Sequence, residues 1–230
     1  MKGENKMQKK DLKGRCSYCK EIIKKRKDFI LKHIKECPEK EKINNDVKKL
    51  DKYSIILLEG FNNLQYWMVI KMLDSSSLKA LDNFIRDIWV ECCYHLSHFL
   101  YNESEVPINL KLSSFAVGDE LEYEYDFGTT THIRLKIIDK IESEKDKMIT
   151  VLFRNIEPEY ECVECGKIAN MICRNCFEFL CDECMDKHEC VEENGEDIVV
   201  PLVNSPRTGE CGYTGYDERL VKKYFPKEII

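Results

Sequence analysis

No stretch of this chain approaches the roughly 20 apolar residues a membrane-spanning helix needs. The longest apolar runs, "SIILLEG" and "YWMVIKM", are only of strand length, so neither a helical span nor a membrane partner is expected. The opening residues, "MKGENKMQKKDLKGR", lack the apolar segment of a secretory leader, which points to a cytoplasmic location. Also missing are a Ser-His-Asp order, a phosphate-binding loop and an HExxH pair, so no residue pattern compels an enzymatic reading. There is no internal repeat apart from CxxC knuckles, and no low-complexity tract beyond the lysines.

Cysteine, by contrast, is abundant: 13 residues in a chain of 230. In a reducing compartment CxxC pairs serve metal ions more often than disulfides. Charge is also unevenly placed. Residues 1–52 hold 18 Lys/Arg against 9 Asp/Glu, whereas the remaining 178 residues hold 18 against 33. A basic head precedes an acidic body. Composition suggests three regions: a basic region at 1–52 with a finger at 14–40, a core at 53–156, and a cysteine-rich module with its tail at 157–230.

The core reads as α+β. "YSIILLEG", "QYWMVIKML", "INLKL", "DELEYEYDFG", "THIRLKIID" and "KMITVLFRN" have the β-branched and aromatic content of strands. "SSSLKALDNFIRDIWVECC" reads as the one main helix, with Leu78, Leu81, Phe84, Ile85 and Ile88 recurring at three and four residues behind a serine cap. A mixed or antiparallel sheet with that helix on one face is the expected architecture. In "ELEYEYDF", Leu121, Tyr123, Tyr125 and Phe127 fall on one face.

The head contains Cys16-x2-Cys19, thirteen residues, then His33-x3-Cys37. A CxxC knuckle points two thiolates at one spot, and residues four apart share a helix face, so this spacing suits a C2HC zinc finger. Phe29, one turn before His33, is expected to pack on the knuckle. Residues 15–40 hold 9 basic and 4 acidic side chains, a candidate nucleic-acid surface through phosphate contacts, although Lys24, Lys25, Arg26 and Lys27 also suit a solvated helix face.

Near the other end the ligand order is Cys162, Cys165, Cys173, Cys176, Cys181, Cys184, His188, Cys190. An interleaved cross-brace is favoured over sequential sites, with Cys162, Cys165, Cys181 and Cys184 on one zinc and Cys173, Cys176, His188 and Cys190 on the other. Ile168, Ile172, Phe177, Phe179 and Leu180 are then expected between the ions. The pattern resembles the B-box and related cross-brace modules, departing in the short His188-x-Cys190 gap, which leaves Cys211 as an alternative last ligand. Residues 159–197 hold 12 acidic and 3 basic side chains, a surface that repels phosphate and suits a protein partner. Three zinc ions are expected in all. In the tail, Arg207, Cys211 and Tyr213 either mark a functional loop or pack against the zinc module.

"LKALDNFIRDIWVECCYHLSHF" followed by "YEYDFGTTTHIRLKI" resembles the plasmid pRi ORF-three-like family, whose fold is also linked to an insertion-element passenger protein. The carrying residues are His95, Leu96 and Phe99, then Tyr123, Tyr125, Asp126, Phe127 and Gly128, then His132. Thr129, Thr130 and Thr131 depart from the family's usual aromatic. The resemblance implies a fold rather than a reaction, with Tyr125, Asp126, His132 and His95 as candidate binding residues. Asp126 and Gly128 also suit a simple turn. Cys92, His95 and His98 would partly share a face if the helix continued, where packing is the plainer expectation for them than metal binding. The function expected is that of a zinc-binding, non-enzymatic adaptor or nucleic-acid- or protein-binding protein. The alternative is a mobile-element-related enzyme acting on nucleic acid from a site in the core.

Overall fold

The computed structural model describes residues 12–39 and 50–226. The lysine-rich opening residues and most of "PEKEKINNDVKKLDK" lie outside them.

The chain is α+β. In order, it runs β1 (Lys13–Cys16), β2 (Ile22–Lys24), α1 (Lys27–Glu36), β3 (Asp51–Gly60), β4 (Trp67–Leu73) and α2 (Leu78–Ile85). Then come β5 (Ser97–Tyr101), β6 (Ser104–Val106), β7 (Glu120–Tyr125), β8 (Thr131–Ser143) and β9 (Ile149–Asn155). The cysteine-rich part adds β10 (Met171–Cys173), β11 (Phe179–Leu180), α3 (Asp182–Met185), α4 (Glu189–Asn194) and β12 (Val199–Pro201), and α5 (Val221–Tyr224) closes the described chain. Nine strands form one antiparallel sheet in the order β2-β1-β9-β4-β3-β8-β7-β5-β6, and three form a small one, β11-β10-β12.

Alternation along the strands loads both faces of the large sheet. Ile56, Leu58, Met68, Ile70 and Met72 pack with Leu81, Phe84, Ile85, Ile88 and Trp89 from the helical segment. Ile55, Trp67, Val69 and Phe153 pack on the opposite side with Cys16, Ile23, Ile30 and Ile34. The N-terminal finger is therefore a layer of the core rather than an appendage: β1 pairs with β9, and α1 covers the second face. The compositional boundary at residue 52 does not interrupt the sheet. Gly14 permits the β1–β9 approach, since a Cβ there would lie 2.5 Å from the Trp67 ring and 2.7 Å from the Arg154 carbonyl oxygen.

Several local expectations differ from the structure. "INLKL" is no strand; it forms turns and a short tight helix, Leu112–Ser114. The hairpin of β5 and β6, unsignalled by pattern, occupies the sheet edge. Phe127 is 53% exposed, because Asp126 adopts a left-handed φ of 65° and breaks the alternation after Tyr125. The main helix ends in one wide π-type turn, Arg86–Val90, where the Glu91 amide reaches the Arg86 carbonyl at 3.1 Å. Such turns are frequent at functional sites. This one ends the helix before Cys92, so Cys92, His95 and His98 share no helical face.

Candidate metal centres

Four groups of four Cys/His side chains have ligand atoms within 4.8 Å of one another among the described residues. They are Cys16, Cys19, His33 and Cys37; Cys162, Cys165, Cys181 and Cys184; Cys173, Cys176, His188 and Cys190; and Cys92, Cys93, His95 and Cys211. Each can hold a metal ion. Sulfur pairs measured within them are 3.8 Å (Cys16–Cys37), 3.6 Å (Cys165–Cys181) and 4.0 Å (Cys93–Cys211). A tetrahedron built on a Zn–S bond of about 2.3 Å has an edge of about 3.8 Å. Disulfide sulfurs lie about 2.05 Å apart, and all thirteen cysteines are free thiols.

The three histidines of these groups share one geometry. Nε2 faces a thiol: His33 to Cys19 at 3.3 Å, His188 to Cys176 at 3.2 Å, His95 to Cys211 at 3.3 Å. Nδ1 faces a carboxylate: Glu21 at 3.5 Å, Glu164 at 3.9 Å and Asp126 at 3.4 Å, in the same order. A carboxylate behind the ring fixes the tautomer that leaves Nε2 free to ligate.

In the first group the β1–β2 hairpin offers Cys16 and Cys19, and α1 presents His33 and Cys37 four residues apart. Phe29 does not pack on the knuckle. It is 44% exposed beneath the Arg26 guanidinium, and Phe153 of β9 meets the His33 ring edge-on at 5.4 Å instead. The basic run is partly spent within the fold. Lys25 pairs with Glu59 at 2.6 Å and donates to the Leu64 carbonyl, while Arg26 pairs with Asp28. Burial holds the Lys25 amine below its usual range. Lys27, Lys32 and Lys35 are the exposed cations of α1.

The eight Cys/His side chains expected as ligands after residue 160 group in the interleaved arrangement, and Cys190 stands in the last group. Of the apolar residues expected between the two groups, Ile172 and Leu180 are buried, but Ile168 is 70% and Phe177 50% exposed at knuckle tips. Clustered thiols oppose each other's ionisation. Against burial, amides of Cys181, Cys165 and Glu164 hold Cys162 at about 6, and amides of Cys176 and Asn175 hold Cys173 at about 7. Burial pushes Cys176 up to about 12, and hydrogen bonding with Cys165 and Cys181 pushes Cys184 to about 12. A dication removes that conflict. Tyr160 joins the module to the sheet, stacking on Phe179 at 4.0 Å and meeting the Tyr66 hydroxyl at 2.8 Å.

The fourth group was not expected as a set. Its members come from two loops more than 115 residues apart, so no spacing rule reveals it. Cys211 lies here and not beside His188, because the 202–216 loop is anchored to the core. Ser205 donates to the Trp89 carbonyl at 2.5 Å, Tyr213 to the Ile88 carbonyl, and Arg207 to Asp126 and Thr131 at 2.6 and 2.9 Å. The loop touches the zinc-type module through Gly209, whose absent side chain makes room for Ile172.

The core candidates divide accordingly. Tyr125, Asp126 and His95 converge: the Tyr125 ring meets His95 edge-on at 5.6 Å, with the Arg86 and Arg207 guanidiniums 4.9 and 4.8 Å from its centroid. Asp126 also forms the turn, accepting from the Gly128 amide at 3.1 Å. Burial disfavours its charge, but Arg207 and the amides of Gly128 and Thr129 hold the carboxyl below its usual range. His132 stands apart, facing Glu124 at 3.2 Å, as does His98 at 2.8 Å. A cavity of about 90 Å³ beside the finger and a cleft of about 590 Å³ between the sheet and the 202–216 loop are lined by none of Asp126, His95 or His132. No helix of the described residues is long and apolar enough to cross a membrane.

No family model matches the sequence, and no curated protein matches it. Among solved structures, a protein of unknown function from Methanosarcina mazei Go1 is similar at 18% identity and a TM-score of 0.42, over 47% of this chain and 72% of that one. A likeness at that level carries no functional argument, so function rests on the Cys/His groups themselves.

Proposed function

We propose that the protein is a zinc-binding, non-enzymatic adaptor. The finger group and the two cross-brace groups hold one zinc each, and the acidic module docks a protein partner. The observation behind this reading is that each of those groups offers four protein ligands. A filled tetrahedron leaves no position for water or substrate, which is the mark of a structural rather than a catalytic zinc. The partner reading draws on Val163, Ile168 and Phe177, exposed apolar side chains in a module of strong negative charge, with Glu161, Glu164, Glu178, Glu192 and Glu193 exposed in the same module. Exposed apolar groups among acidic ones suit a basic, partly apolar peptide. Nucleic acid is a second partner, met at Lys27, Lys32 and Lys35 of α1. An enzyme acting on nucleic acid is the weaker reading, because its candidate residues line neither described cavity.

The test is fluorescence anisotropy with two labelled probes: a peptide alternating lysine and leucine, and a duplex DNA. Peptide binding should fall at least tenfold in Phe177→Ser and in the paired variant Glu192→Lys, Glu193→Lys. Unchanged affinity in both would overturn the protein-partner reading. DNA binding should weaken with salt and with Lys27→Glu and Lys32→Glu combined. A duplex affinity indifferent to both would remove nucleic acid from the proposal.

A further inference from the structure

Cys92 and Cys93 follow the π-type turn directly, and the left-handed Tyr94 (φ 60°) folds the chain back so that His95 faces the same point. Cys211, itself left-handed at φ 47° beside the left-handed Gly212, enters from the tail. Its sulfur lies 4.0 Å from Cys93 Sγ and 3.3 Å from His95 Nε2. We infer that these four residues form a fourth zinc site, one that latches the 202–216 loop to the core.

Three further observations carry it. Three thiolates and an imidazole are a soft set that suits zinc, and four protein donors complete a structural tetrahedron. The support behind the ligands is built and buried. Asp126 Oδ1 lies 3.4 Å from His95 Nδ1, leaving Nε2 for the metal. Arg207, with a fully buried side chain, donates to Asp126 Oδ2 at 2.6 Å and to Cys92 Sγ at 3.5 Å. Three thiolates around one dication leave a net negative charge, and that bond places a cation against it. Finally, this group repeats the Cys-Nε2, Nδ1-carboxylate geometry of the finger and of the second cross-brace group.

The site joins segments that local structure alone does not hold together. The loop it fastens supplies Val203, Asn204, Ser205, Tyr213 and Tyr216 to one wall of the 590 Å³ cleft, opposite Arg15 and Arg154. Zinc at this site thus shapes the cleft as well as anchoring the tail.

Native mass spectrometry of the full chain should show four zinc ions, falling to three in Cys211→Ser and in Cys93→Ser. His95→Cys, which keeps four soft ligands, should retain four. Hydrogen exchange in residues 203–216 should rise at least tenfold in Cys211→Ser and stay near wild type in His95→Cys. An ion count in Cys211→Ser equal to that of the wild type would overturn the fourth site. Unchanged exchange in Cys211→Ser would overturn the latch. Should a cross-brace or finger site be wrongly assigned, Cys211→Ser would fall below three while still losing one ion relative to wild type, so the two failures are distinguishable.

Discussion

His95 Nδ1 lies 3.4 Å from one oxygen of Asp126, whose other oxygen accepts a 2.6 Å hydrogen bond from Arg207. The chain of contacts runs from a tail residue through a turn residue to a ring that faces Cys211. Removing the charge in its middle by Asp126→Asn should weaken metal retention at this group about 10–100-fold, the usual effect of losing a carboxylate behind a ligating histidine. Competition with a chromophoric chelator measures it. Retention equal to wild type would show that Asp126 serves the turn alone.

Asp82 is buried in the core, where Lys79, Arg86, Ser97 and Tyr123 all donate to it, at 2.9, 3.0, 2.7 and 2.9 Å. Burial opposes its charge, but these donors hold its carboxyl below the usual range. Asp82→Asn should cost about 3 kcal/mol in urea unfolding, since it leaves Arg86 short of a buried partner. The sign of the pH effect follows from the lowered value. Its stabilisation is present above about 3.9, the unfolded value, and is lost as pH falls through the folded one. The wild type should therefore lose stability relative to Asp82→Asn only below about pH 4. A parallel pair of stability curves would refute this.

Gly14→Ala should loosen the finger from the sheet. Its Cβ meets the Trp67 ring and a backbone oxygen that cannot rotate away. Overpacking of this kind costs about 1–3 kcal/mol. Hydrogen exchange should rise along β1 while β3 and β8 keep their protection; unchanged exchange in β1 would show that the added methyl is accommodated without loosening the strands.

Strong chelation should unfold the module at 162–201 and loosen the finger, but leave strands β3 to β9 of the large sheet paired. Structural zinc supplies about 10–16 kcal/mol of folding energy in such small units, and the module buries few large apolar side chains of its own. The larger core of the sheet has no cysteine among its fully buried members. Trp67, fully buried under the finger, should become partly exposed and its emission should shift to the red, an effect absent in Trp67→Phe. Cooperative loss of the whole β-sheet circular-dichroism signal on chelation would contradict this division.

Much of the fold was readable because its signals are local. Strands β3, β4, β7, β8 and β9 announce themselves by β-branched alternation, and α2 by its three-and-four spacing. The knuckles are local too: two residues between cysteines permit few geometries, so the interleaved grouping follows from short gaps. Less readable were features set by partners distant in sequence. Phe29 holds the right helix turn to cover the finger, yet Phe153 fills that place because β9 runs beneath α1. Lys25 looks like free surface in its basic run, but Glu59 on β3 pairs with it.

The sequence alone determined that the chain is α+β, that its cysteines pair in knuckles, and that its charge is split between head and body, since each depends on residues within a few positions of one another. Only the tertiary structure decided where Cys211 goes. Neighbouring spacing allowed it to complete the last cross-brace group. The anchoring of Ser205, Arg207 and Tyr213 on the core carries it instead to Cys92, Cys93 and His95. Contacts across more than 100 residues depend on how the packed elements meet, and no local pattern encodes that.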